Sequence, residues 1–250
     1  MRDVFDLYDA HPIPRPPNNL TISSTTKLDE LVNRRLVRHR LDYALPRRAA
    51  RTRHALLSAG IDLLTDRSVD AIPIDDLVDA ANVGKGSFYN HFGDRDGFKS
   101  AIALQIREEV EAQIGAANAQ VTNELERLAG GMRELTNYAL TNRKRTVAML
   151  RMTVGATTKD YPLNEGIVAD IEACATAGLI HIRSTQGAVL YWLGLSVVLV
   201  TQVIENNLSR PLAAERLHEM LTLGLTGLNA TKDDITLIAD RCAGQLMSDA

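Results

Sequence analysis

The chain has 250 residues, of which 45% are hydrophobic and 24% charged, with a formal net charge of −3 at pH 7. This is the profile of a soluble globular protein that can bury a real core, in one large domain or two smaller ones. It excludes a uniformly basic nucleic-acid binder, but the total hides an asymmetry: Lys27 to Arg53 holds nine Lys/Arg against three acids. Aromatic residues make up only 4%, strand-like runs of Val, Ile, Thr and Tyr are few, and long Ala/Leu-rich segments dominate. The expected class is therefore all-α.

Residues 1 to about 24 carry Pro12, Pro14, Pro16 and Pro17, then Asn18-Asn19 and Ser23-Ser24. That composition reads as an extended or disordered arm, and its acidic start argues against a secretory signal. Thr26 precedes Lys27-Leu28-Asp29-Glu30, a capped helix start, and Leu28, Leu31, Val32, Leu36, Leu41, Ala44 and Leu45 follow at helical spacing. Arg34, Arg35 and Arg38 fall on the other side, which makes this a basic amphipathic helix. Pro46 closes it, because the residue before a proline is pushed out of the helical region.

A helix is predicted from about Arg47 to Asp66, with Ala50, Leu56, Leu57, Ile61 and Leu64 as its apolar face. Pro73 sits at the first turn of the next helix, where its missing N–H costs nothing; Ile74, Leu77, Val78 and Ala81 form that helix's inward stripe. Val83 lies in the turn that follows, a short helix begins near Gly84, and Phe88 and Phe92 reach back to the same small core. A longer helix runs on from about Asp94 through Phe98, Ile102, Ile106 and Val110. Helix, tight turn, helix is the geometry that lays a second helix in the major groove of DNA. Further helices are expected at about 121–141, 143–157, 162–177, 185–207, 211–228 and 231–248, separated by Gly, Pro or Asn.

The segment from Arg47 to about Ala103 resembles the N-terminal domain of TetR-family transcriptional regulators. The resemblance lies in Ala59-Gly60 and Leu63-Leu64, Asp75-Asp76-Leu77-Val78, Val83-x-Lys85-Gly86-Ser87-Phe88-Tyr89-x-His91-Phe92, and Asp94-Arg95-Asp96 with Phe98. The remainder resembles the family in length, helicity and helix order. It implies a three-helix DNA-binding domain over 47–100, a larger helical ligand-binding and dimerisation domain over 101–250, and here an added extension over 1–46. Pro73 and Gly84 stand where the family usually has a hydroxyl that caps a helix, and at Pro73 also touches a phosphate. Asn82 stands where it usually has Gly, and Asn is one of the few other residues to tolerate a positive φ.

By this resemblance Arg47, Arg48 and Arg51 approach the DNA backbone, and Lys85, Ser87 and Asn90 face base edges. Tyr89 and His91 reach phosphates, and Pro73, Gly84 and Arg95 complete the interface. Lys donates to guanine O6 and N7 and Asn pairs with adenine, so the helix reads a mixed site. A plainer reading has Tyr89 and His91 packing or facing solvent. The arginines before Pro46 either extend the positive surface through counterion release or form a solvated helix face.

In the larger domain, Leu193, Val197, Val200 and Ile204 and then Leu217, Leu221 and Leu225 form apolar stripes on neighbouring helices. In the family's chain order these make a homodimer interface, and a two-fold dimer calls for a palindromic operator. A pocket for an unknown, largely apolar effector is expected around Tyr138, Met149, Met152, Tyr161 and Trp192, although Met and aromatic residues at such spacing equally form plain core. The run Ala188 to Ile204 is too short and too polar to span a membrane and reads as a core or interface helix. Cys174 and Cys242 have neither CxxC nor ligand spacing and read as thiols of a reducing cytosol.

No catalytic or metal-ligand pattern appears: His218-Glu219 does not continue to HExxH, and no phosphate loop or nucleophile elbow is present. The sequence thus reads as a cytoplasmic, homodimeric, ligand-responsive regulator without cofactor, most simply a repressor. An activator, or a TetR-like interaction module with degenerate DNA binding, stays open.

Overall fold

The computed structural model describes residues 47–63, 71–151 and 164–248. Among the described residues there are ten α-helices and no strand. They are α1 (Arg47–Leu63), α2 (Ile74–Ala80), α3 (Lys85–Phe92), α4 (Arg95–Asn118), α5 (Glu124–Thr141), α6 (Arg143–Arg151), α7 (Glu165–Thr176), α8 (Thr185–Glu205), α9 (Arg210–Gly227) and α10 (Lys232–Ser248). The class is all-α, as composition required. The basic helix and arm expected before Pro46 lie outside the described residues.

Local chemistry sets the helix ends. Asp94 starts α4 by accepting from the Gly97 amide at 2.7 Å, and Asn123 starts α5 by accepting from the Glu126 amide at 2.9 Å. The second cap places the start of α5 a few residues later than apolar periodicity alone suggested. Thr231 caps α10, its hydroxyl accepting from the Asp234 amide and donating to the Asp234 carboxylate. Three helices stop on asparagines with positive φ, Asn82 (52°), Asn207 (47°) and Asn229 (57°). Each is followed by a residue whose amide reaches back to the last turn, as Val83 does to the Val78 carbonyl at 2.9 Å. That back-bonding satisfies carbonyls a helix end would otherwise leave orphaned.

The core forms two apolar clusters. The first joins Leu56, Leu57 and Ile61 of α1, Leu77 and Val78 of α2, Phe88 and Phe92 of α3, and Phe98 to Val110 of α4, and it reaches Tyr138 and Ala148. Three of the four phenylalanines in the chain meet here: Phe88, Phe92 and Phe98 have ring centroids 4.9–5.5 Å apart. Edge and tilted ring contacts of this kind favour one packing over its alternatives.

The second cluster is built around α5, which packs against α4, α6, α7, α8, α9 and α10. Its residues Leu125, Leu128, Ala129 and Met132 are buried. α8 is long and apolar enough, by length and composition, to cross a membrane, with a mean hydropathy of 1.9. Its Val189, Trp192, Leu199, Val200 and Val203 nevertheless pack into this cluster.

Candidate nucleic-acid interface

The turn between α2 and α3 follows from four residues. Pro73 precedes α2 with φ −59° and ψ 144°. Asn82 supplies the left-handed corner, and Val83 closes it through its amide and a half-buried side chain. Gly84 then precedes α3 at φ −72°, ψ 147°, with no side chain to cap the first turn. At the far end Gly93, at φ 76°, reverses the chain into the Asp94 cap in a conformation that favours glycine.

α3 is anchored from beneath by Phe88 and Phe92, both buried. Since residues three and four apart share a helix face, this fixes what faces outward. Lys85, Gly86, Tyr89 and Asn90 are exposed, with Tyr89 at 47%, and Ser87 and His91 flank them half-buried. The structure thus brings together five of the residues singled out on this helix: Lys85, Ser87, Tyr89, Asn90 and His91. Pro73 and Gly84 lie exposed at the adjoining helix starts, and Arg47, Arg48 and Arg51 are exposed along the first turns of α1.

Arg95 is half-buried, and its Nη1 donates to the Ile72 carbonyl at 2.6 Å. That bond braces the segment ahead of α2 against the start of α4, so Arg95 also helps to set the geometry of the turn. Arg53 likewise lies over the Phe92 ring, 5.6 Å from its centroid. A positively charged group over an aromatic face is a packing interaction as much as a charged surface.

The charge balance of this region was not visible in the motif. Residues 56–102 hold eight aspartates against four Lys/Arg. Lys85 Nζ lies 2.8 Å and 3.1 Å from the two carboxylate oxygens of Asp75. Lys99 pairs with Asp96 at 3.2 Å. The Asp75 carboxylate, through its hydrogen bond and its charge, holds the Lys85 ammonium above the ordinary lysine value. Sequence reading named Lys85 for DNA but missed Asp75 as its partner, because the two are ten positions apart on different helices.

Of the expected effector residues, three lie among the described ones. Tyr138 belongs to the first cluster and Trp192 to the second, and Met149 packs half-buried against the first. Met152 and Tyr161 lie outside the described residues. The Tyr138 hydroxyl donates to Glu109 at 3.2 Å, and Arg145 donates to both oxygens of the same carboxylate at 2.7 and 2.6 Å. Burial, with Glu109 beside it, pushes the Tyr138 phenol up to about 12. Tyr138 and Arg145 therefore tie α5 and α6 to α4, a role that only the packed structure displays.

Most of the expected dimer residues also pack within their own chain. Val200, Ile204, Leu217, Leu221 and Leu225 are buried in the second cluster of their own chain, and Leu193 packs half-buried against it. The apolar stripe with the strongest periodicity is the one a helix turns to its own core. Val197 is exposed, and with Leu190 and Val198 of α8 and Leu212 and Leu223 of α9 it marks the outward apolar faces.

A short helix held by two phenylalanines after a tight turn, with polar residues outward, defines a helix-turn-helix protein. Residues 56–102 match the family model described as bacterial regulatory proteins, tetR family. The HTH-type transcriptional regulator AlkX of Mycobacterium tuberculosis is 34% identical over 95 residues, which are 38% of this chain and 44% of that protein. The match thus spans less than half of that curated relative's length.

The structure of RolR in complex with resorcinol resembles this fold with a TM-score of 0.56 at 20% identity, over 78% of this chain and 95% of that one. A γ-butyrolactone receptor, an ArpA-like protein, does so with 0.54 at 19% identity, over 80% and 100%. These last two are likenesses of fold. Over residues 56–102 the chain matches the TetR family, whose members are DNA-binding transcription regulators and not enzymes; beyond those residues the likeness is one of fold.

Proposed function

We propose that this chain regulates transcription in the cytoplasm as a homodimer that occupies a palindromic operator, represses from it and leaves it when a small molecule binds. The observation that carries this reading is the outward arc of α3. Lys85 and Tyr89 share one face and Ser87 and His91 the next, over a buried Phe88–Phe92 anchor. Lys and Asn supply the groups that distinguish base edges in the major groove, and Tyr and His suit phosphate oxygens.

The outward apolar residues of α8 and α9 support the homodimer. Exposed side chains such as Val198 (55%) and Leu223 (60%) on adjacent helices call for a partner surface. A symmetric pair presents two equivalent recognition helices, hence the palindrome. The effector class rests on analogy with the resorcinol complex and the γ-butyrolactone receptor, and points to a small, largely apolar organic molecule.

The excess of aspartate over basic residues in 56–102 favours one competing reading, a TetR-like module that binds a protein instead of DNA. Selection of bound fragments from a random or genomic DNA pool at near-physiological salt separates the two. An enriched palindrome is expected. Tyr89→Ala should then weaken binding to every sequence, whereas Lys85→Ala and Ser87→Ala should change which sequence is preferred. If no motif is enriched and binding is only weak and salt-sensitive, the protein-interaction reading takes over.

A further inference from the structure

We infer that Asp75 is a specificity-determining residue of the DNA interface: paired with Lys85, it makes a charge-neutral reader of base edges at the leading turn of α3. The inference rests on the DNA-binding reading above and adds a residue that the recognition motif does not contain.

Lys85 is the first residue of α3, and Asp75 lies in the first turn of α2 beside it. Their side chains meet through both carboxylate oxygens, at 2.8 and 3.1 Å, and both remain more than half exposed. Lys85 carries three N–H donors, and two short contacts to one carboxylate leave a donor directed away from Asp75. That donor suits the O6 and N7 acceptors of guanine, while the outer lone pairs of the carboxylate suit the N4 amine of cytosine. Two adjacent acceptors on guanine followed by the amine of cytosine are the pattern of a G·C pair in the major groove, whereas an A·T pair places its amine between two acceptors.

The charge arithmetic separates reading from sticking. Non-specific attraction to DNA scales with the number of phosphates a protein neutralises, because each releases condensed counterions. A lysine already neutralised by a carboxylate releases none, yet its remaining N–H keeps its direction. The pair therefore adds to discrimination among sequences and not to the sequence-independent term. An exposed ion pair contributes only about 0.2–1 kcal/mol to stability, and Asp75 adds a similar amount by facing the positive end of α2.

The test uses the full-length protein, the palindrome recovered by selection and a scrambled duplex, with affinities measured across a salt series. Asp75→Asn is expected to bind the scrambled duplex more tightly and to steepen the slope of log K against log salt by about 0.9, one extra phosphate. It should also lose part of the preference for G·C at the position Lys85 reads. Asp75→Asn combined with Lys85→Ala removes no net charge, so its scrambled-duplex affinity and salt slope should return to wild type while that base preference is lost. Asp76→Asn removes the neighbouring charge and should leave base preference unchanged.

If wild type reads the palindrome but Asp75→Asn keeps its slope and preference, or if Asp76→Asn shifts base preference equally, the inference is overturned and the DNA-binding reading stands. If wild type binds no duplex specifically, both fall together. Unchanged thermal unfolding of the Asp75 variants confirms that the effect is on recognition.

Discussion

Gly60 shows at the scale of one residue how a motif letter acquires a physical cause. A Cβ added there would collide with Phe98 Cζ and lie 2.8 Å from Ile102 Cδ1, so α1 and α4 approach too closely for a side chain without repacking. Gly60→Ala is expected to destabilise the protein by about 1–3 kcal/mol, the usual cost of overpacking a dense core, read from urea unfolding. Gly84→Ser is the internal comparison: an added Cβ meets nothing within 4 Å, and a serine there caps α3, so it should be neutral or stabilising by a few tenths of a kcal/mol. Equal losses at both positions would show that backbone freedom, and not space, sets the requirement for glycine. In the sequence the two glycines look alike. The ring that separates them arrives from far along the chain.

At the scale of the element, α4 connects the recognition helices to the rest of the protein. Its apolar side is buried from Phe98 to Val110, and its polar side carries Arg107, Glu109 and Glu111. Glu109 receives Arg145 and Tyr138 from α6 and α5, and Glu111 pairs with Arg107 at 2.9 Å. Burial raises the Glu111 carboxyl above its usual value of 4.5 in spite of that arginine. A carboxyl raised on folding binds its proton more tightly in the native state, so its contribution to stability is complete below pH 4.5 and is lost as pH rises through the native value. Wild type should therefore gain stability relative to Glu111→Gln as pH is lowered from 7 towards 4.5. Parallel unfolding profiles for the two proteins across that range would contradict it. The helix itself was legible from its apolar spacing. The partners of Glu109 were not, because Tyr138 and Arg145 come from helices that follow it in the chain.

At the scale of the whole molecule, the buried and exposed stripes of α8 and α9 decide what a second copy can touch. Leu221 is buried in its own chain, whereas Leu223, two residues on, is 60% exposed. On the proposed homodimer, Leu223→Glu, like Val198→Glu, is expected to leave helicity and thermal unfolding of the protomer intact while shifting sedimentation from dimer to monomer. Leu221→Glu should unfold the chain, since a lone carboxylate in an apolar core is left without a partner. A folded, dimeric Leu223→Glu protein would move the interface elsewhere.

The sequence by itself determined the all-α class, the order of the helices and the helix-turn-helix segment. These depend on signals confined to a few turns: apolar spacing, the caps at Asp94 and Asn123, and the Asn82 corner. Only the tertiary structure decided which apolar stripe faces the chain's own core, that Arg95 braces the Ile72 carbonyl, and that Lys85 is held by Asp75. The physical reason is common to all three. A side chain's role depends on what lies opposite it, and the opposite partner belongs to another helix whose placement local periodicity does not encode.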